Sequence, residues 1–253
     1  MFNLGLWPHI PTFFLRERMR RMDPRHLFMD ERLTGMCVYC GAQPDTRDHV
    51  PSKVLLDEPY PPQLPVVGAC EKCNASFSLD EQYLSCFLEC VICGTVDPSG
   101  LERPNVKRIL SENPALQHRI EVSQKMDEAG NLLWQPDIDR VRKIVTKLAR
   151  GHVAYEFYPK LEEPVGVAFS PIPVLSDQER TAFEDMTSGK LDLLPEIGSR
   201  AFYRALGKKP DQFKQMGDWI VVQLGRYRYA VVEMGGVLVR MVLSDYLACA
   251  VSW

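Results

Sequence analysis

The sequence predicts an α+β protein with three parts: a cysteine-braced segment, a helical middle and an antiparallel β-rich C-terminal region. Three observations predict it. Two Cys-x-x-Cys pairs, Cys37/Cys40 and Cys70/Cys73, bracket residues 41–69. One stretch, residues 139–150, carries a clean helical stripe. Three β-rich runs follow late in the chain, separated by glycines. These divide the 253 residues into an extension (1–35), a braced core (36–95) and a C-terminal α+β region (96–253).

The extension is rich in arginine: Arg16, Arg18, Arg20, Arg21 and Arg25 stand against Glu17 and Asp23. It reads either as a solvated helix face or as an arm that touches phosphates. Its first residues lack the basic start and apolar centre of a secretory signal. No apolar run approaches the ~20 residues that a bilayer requires. The chain is therefore read as cytoplasmic, with no membrane partner. In a reducing compartment its eight cysteines are metal ligands or buried thiols rather than disulfides.

Each Cys-x-x-Cys pair forms a knuckle whose sulfurs converge, and two knuckles complete a tetrahedral zinc site of Cys37, Cys40, Cys70 and Cys73. Cys86, Cys90 and Cys93 share one face of a further helix, with Ser78 and Glu81 as a capping box at its start. A buried stripe is the reading for these three, with a second metal site, or a pairing with Cys37 and Cys40, as the alternatives. Cys249 lies in an apolar stretch and is read as buried.

Between the knuckles stands Thr46-Arg47-Asp48-His49-Val50-Pro51. Neighbours on a strand point to opposite sides, so a bend near Pro51 is needed before both can serve one site. Histidine titrates near neutrality and suits a general base. Aspartate is a hard oxygen ligand suited to Mg²⁺ or Mn²⁺.

Later in the chain, Val141, Ile144, Val145, Leu148 and Ala149 form one apolar stripe. Arg140, Arg142, Lys143, Lys147 and Arg150 are assigned to the remaining surface, solvated or facing nucleic acid. Gly151 either ends this helix or lets it run toward Tyr158. A weak hairpin is read from Ile120-Glu-Val and Leu132-Leu-Trp around Asp127–Asn131. Ser176 and Glu179 cap a short helix over 176–187. Runs at Trp219, Tyr227 and Val237 read as strands, with turns at Gly225 and Gly235-Gly236.

The braced segment resembles the HNH endonuclease family, specifically its zinc-braced members. The resemblance rests on Cys37-Val-Tyr-Cys40-Gly41, Thr46-Arg-Asp48-His49-Val-Pro and Cys70-Glu-Lys-Cys73-Asn74, followed by Ser78, Asp80, Glu81 and Tyr83. It covers residues 36–84, about a fifth of the chain. Lys147-Leu-Ala-Arg150-Gly151 is weakly similar to a region downstream in some bacterial members. The resemblance implies a ββα-metal (HNH) core that hydrolyses phosphodiester bonds in nucleic acid, DNA by preference. It makes His49 the general base, with Asp48 and Asn74 as ligands of a catalytic Mg²⁺ or Mn²⁺. Lys53 either contacts the scissile phosphate or is an ordinary surface lysine; Asp80 and Glu81 add contacts to the metal or to its ligands, unless Glu81 is spent on the capping box. The family's middle asparagine is absent from Gln63-Leu-Pro65-Val-Val-Gly-Ala-Cys70, where Gln63 or a backbone carbonyl substitutes or the orienting contact is missing. That gap, and the net charge of −3, favour a competing class: a zinc-braced nucleic-acid- or protein-binding module without catalysis. The C-terminal region is read as a site for a regulatory partner or for homo-oligomer contacts.

Overall fold

The computed structural model describes residues 35–62, 64–185, 199–207, 211, 213–233 and 235–253. The arginine-rich extension, Gln63 and the end of the 176–187 segment lie outside the described residues.

Strand β1 (Thr46–His49) pairs antiparallel with β2 (Val66–Ala69), in the register Asp48 opposite Val67 and His49 opposite Val66. β2 runs directly into helix α1 (Glu71–Cys93), whose N-cap is Cys70 and whose end is closed by left-handed Gly94. The helix thus begins at the second knuckle, well before the predicted Ser78/Glu81 capping box, which falls mid-helix. Cys70's sulfur supplies the cap by accepting the Cys73 N–H, so no serine is needed.

Helices α2 (Pro104–Glu112) and α3 (Pro114–Glu121) follow, each with proline in its first turn. The hairpin β3 (Gln124–Met126) and β4 (Leu132–Trp134) comes next. Ile120 and Glu121, predicted as strand, instead close α3, so the first strand starts later.

Helix α4 (Ile138–Glu156) carries the predicted stripe, with Val141, Ile144, Val145, Leu148 and Ala149 all buried. It continues through Gly151 because its second half is buried on nearly every side. Strand β5 (Gly166–Pro171) and helix α5 (Asp177–Glu184) follow, the latter with the predicted Ser176–Glu179 capping box formed in both directions. Then come α6 (Arg200–Ala205), β6 (Lys214–Met216), β7 (Trp219–Gln223), β8 (Tyr227–Glu233), β9 (Val237–Leu243) and β10 (Leu247–Ser252).

The last five strands form an antiparallel meander, and β5 joins its far edge beside β10. Gly225 and Gly235 turn the chain at φ +75. Alternation along the strands gives the sheet two apolar faces. Tyr229, Val239, Met241, Cys249 and Val251 on one face join a core with α1 and α4. Trp219, Ala230, Val232 and Val242 on the other pack with Phe183 of α5. The main core runs without a break from Leu55 to Val251, across the boundary drawn at residues 95/96. Helix α4 lies between the sheet on one side and α1 with the hairpin on the other. Among the described residues no helix is long and apolar enough to cross a membrane.

Candidate functional site

The two knuckles meet at one end of the β1–β2 hairpin. In the first, the Gly41 N–H closes on Cys37 O, and the Val38 N–H bonds to Gly68 O of β2. In the second, Cys70 and Cys73 open α1. The four sulfurs lie within 4.8 Å of one another, with Cys40 and Cys70 at 3.7 Å. A tetrahedral ion with Zn–S bonds of ~2.3 Å puts its sulfurs roughly 3.8 Å apart. The cluster therefore fits a metal ion such as zinc, held by Cys37, Cys40, Cys70 and Cys73. Burial raises the thiols of Cys37 and Cys73, while the backbone N–H of Ala42 draws exposed Cys40 down to about 7.

Cys86, Cys90 and Cys93 lie elsewhere on α1. The first two are fully buried and pushed up to about 12 by desolvation. Among the described residues they belong to no group of three that could hold a metal ion; Cys86 and Cys90 are buried, whereas Cys93 is half-buried with its sulfur 3.6 Å from Glu89 Oε1. Cys249 is buried in β10.

Asp48 and His49 take opposite faces of β1, as neighbours on a strand must. Asp48 faces inward and is 7% exposed, whereas His49 is half-buried on the face shared with Arg47. On the inner side, Asp48 Oδ2 accepts the Tyr39 hydroxyl at 2.6 Å and pairs with Lys147 Nζ at 2.6 Å. Lys147 reaches there from α4 with its side chain 1% exposed. Its ammonium also meets Glu81 Oε1 of α1 at 2.6 Å and donates to Ser52 Oγ at 2.8 Å. Ser52 Oγ in turn donates to Glu81 Oε1 at 2.5 Å. All three ammonium hydrogens thus have acceptors. The Tyr39 and Phe77 rings each stand 5.8 Å from the nitrogen. Desolvation and the Asp48 carboxylate hold the Tyr39 phenol well above its ordinary range, so it stays a donor.

Asn74 is brought to β1, but its Nδ2 donates to Thr46 Oγ1 and Arg47 O at 3.4 and 3.3 Å. It ties the first turn of α1 to the hairpin. Lys53 stands over the Tyr60 ring, and Asp80 pairs with Arg140 and Lys143.

The basic residues assigned to the surface of α4 are mostly engaged. Arg140 and Lys143 meet Asp80, Lys147 is buried, and Arg150 donates to Tyr39 O, Leu161 O and Glu162 O. This corrects the assignment of Lys147 to the solvated face. The sequence carried one trace of it: Gly151, four residues on, shares its helical face and has no side chain. A Cβ there would lie 2.6 Å from Val50 Cγ2, next to Asp48-His49.

No family model, curated protein or solved structure matches this chain.

As folded, Asp48 and Asn74 do not fit a shared catalytic Mg²⁺ or Mn²⁺. A buried ammonium and a hydroxyl hold the Asp48 oxygen, and the Asn74 amide is spent on β1.

Proposed function

We propose that this chain is a zinc-braced ββα endonuclease that hydrolyses phosphodiester bonds in DNA, with His49 as general base. The observation that carries the reading is a hairpin bound to the head of a helix by a four-cysteine cluster, with His49 closing the first strand. The cysteines fix the hairpin against α1, so the bend after His49 has a rigid base. His49 would take a proton from water, whose oxygen attacks phosphorus as the ester P–O bond breaks. The departing oxygen then takes up a proton. No step is assigned to a second metal ion, because the Asp48–Asn74 pair does not offer it an open place.

The test is supercoiled plasmid incubated with the zinc-loaded chain in Mg²⁺ or Mn²⁺, beside EDTA and His49→Ala. The reading expects nicking that falls at least ~10²-fold in the variant. Equal nicking by both proteins would remove His49 from the reaction. The hold of Lys147 on Asp48 favours a second reading, a nucleic-acid-binding module without catalysis. Plasmid bound but never cut under either ion would select it.

A further inference from the structure

The eight cysteines differ sharply in what can reach them. Cys37, Cys86, Cys90 and Cys249 are buried and Cys70, Cys73 and Cys93 are half-buried, so Cys40 alone is exposed. It stands on the first knuckle with its sulfur 3.7 Å from that of Cys70, the N-cap of α1 on the second knuckle. Thiolates react with peroxides, and sites that do so selectively combine an accessible sulfur with a second sulfur beside it. Cys40 has both. We propose that Cys40 is an oxidation site for hydrogen peroxide, and that Cys70 resolves it to a disulfide that replaces zinc as the brace between the two knuckles.

Metal coordination keeps the four sulfurs as thiolates, the form that attacks. The Cys40 thiolate takes one oxygen of the peroxide. An S–O bond forms, the O–O bond breaks and hydroxide leaves. The Cys70 thiolate then attacks the Cys40 sulfur. An S–S bond forms, the S–O bond breaks and a second hydroxide leaves. Two sulfurs have lost two electrons, and the peroxide that gained them ends as two waters after taking up two protons. Cys37 and Cys73 remain, half of the four ligands that a structural zinc site needs, so the ion is released and each of the two takes up a proton. The choice of partner decides what the oxidised chain keeps. A bond inside one knuckle, from Cys37 to Cys40, would leave that knuckle unlinked from α1. A bond from Cys40 to Cys70 ties the knuckle ahead of β1 to the head of α1, the same two pieces that the metal ion joins. The inference rests on the four-cysteine cluster and not on the nuclease reading.

The experiment treats the full zinc-loaded chain with hydrogen peroxide while a chromophoric chelator reads released zinc. Remaining thiols are then blocked, and cleavage after Tyr39 and after Lys72 separates the four cysteines for mass mapping. One zinc ion per chain should appear together with one Cys40–Cys70 disulfide, and dithiothreitol with added zinc should restore the starting state. Cys40→His keeps four ligands as a Cys₃His set but removes the exposed sulfur, so peroxide should release its zinc at least ~10-fold more slowly. Amide exchange in Thr46–His49 and Val66–Ala69 should stay slower in the oxidised chain than in a chain stripped of zinc with its thiols capped. No zinc release overturns the proposal, as does a first disulfide that lacks Cys40 or Cys70, or equally fast release from Cys40→His. Where Cys40→His does not load zinc, the wild-type disulfide map decides alone. Exchange in the two strands as fast as in the stripped chain overturns the bracing role.

Discussion

Gly151 and Val50 approach so closely that a Cβ on the glycine would lie 2.6 Å from Val50 Cγ2 and 2.9 Å from Cγ1. Val50 is the first residue beyond β1, directly after Asp48-His49, and is itself fully buried. Gly151 thus sets how near α4 comes to the hairpin, and hence how Lys147 of α4 reaches Asp48. Gly151→Ala gains helix propensity of up to ~1 kcal/mol but overpacks the contact, at a cost of typically ~1–3 kcal/mol. A net loss of about 1 kcal/mol in urea denaturation is expected. Val50→Ala in the same chain should relieve the clash, giving a double-mutant cycle with a favourable coupling of at least ~0.5 kcal/mol. Additive effects would mean that the helix shifts without strain.

A second strong tie joins the loop between the hairpin strands to the rest of the chain. Arg103 is 2% exposed and donates to Asp57 Oδ1, Ser85 Oγ, Val54 O and Leu56 O. The backbone N–H groups of Glu102 and Arg103 donate to Glu89. Asp57 also bonds Arg226 and exchanges two hydrogen bonds with Gln223. Burial pushes the Asp57 carboxyl up, but the two guanidiniums outweigh it and hold it below its ordinary range. Removing one partner of such a network leaves others unpaired and typically costs ~3–5 kcal/mol. Arg103→Met should lose that much stability, measured by the urea midpoint. A loss under about 1 kcal/mol would show that water replaces the guanidinium.

The elements with strong periodicity were legible. The stripe of α4 and the β-runs at Trp219, Tyr227 and Val237 follow the side-chain alternation that burial demands. The knuckle spacing gave the cysteine cluster, because two short loops aimed at one point leave few alternatives. Strand β10 was not legible. Its turn uses Ser244 and Asp245 in the left-handed region, with no glycine to mark it. Strand β5 was missed too, since its partner β10 lies far along the chain. Lys147 was missed because a lysine beside an apolar stripe normally snorkels to water. Its burial depends on Asp48 and Glu81, which only tertiary packing delivers.

His152 makes stability depend on pH. It is fully buried on α4, with Nε2 at 2.8 Å from the Tyr227 hydroxyl and its ring stacked on Tyr229 at 3.7 Å. Its Nδ1 has no partner among the described residues. Desolvation, helped by the Lys147 charge, holds its pKa well below the ordinary value. The folded chain therefore keeps His152 neutral while the unfolded chain takes up the proton. Its contribution is full above about pH 6.5 and is lost as the pH falls below it, by up to ~1.4 kcal/mol per unit. Buried Glu156, one turn on, is raised by desolvation and gives the opposite slope, lost as the pH rises. Both proteins keep Glu156, so comparing wild type with His152→Gln isolates the histidine. Below about pH 6.5 the wild-type curve should fall more steeply. Parallel curves would rule out this linkage.

Zinc removal should loosen one end of the protein rather than unfold all of it. Cys37, with Cys70 and Cys73 packed against it, sits with Val38, Tyr39, Val50, Val67, Ala69, Ala154 and Tyr155 in a small apolar cluster separate from the main core. Structural zinc contributes ~10–16 kcal/mol in isolated fingers, as much as a whole domain's ~5–15 kcal/mol. The small cluster has no comparable reserve, whereas the core from Leu55 to Val251 does not contain the four cysteines. Titration with a mercurial should release one zinc ion per chain. Amide exchange should then rise in the strands Thr46–His49 and Val66–Ala69, while the loop held by Arg103, α4 and the β7–β10 strands stay protected. Tyr39 would leave Asp48 at the same time, because it lies between two of the ligands. Loss of protection throughout the chain would mean that the knuckles and the core unfold as one unit. Unchanged exchange in the hairpin would mean that its own packing, without metal, holds the site.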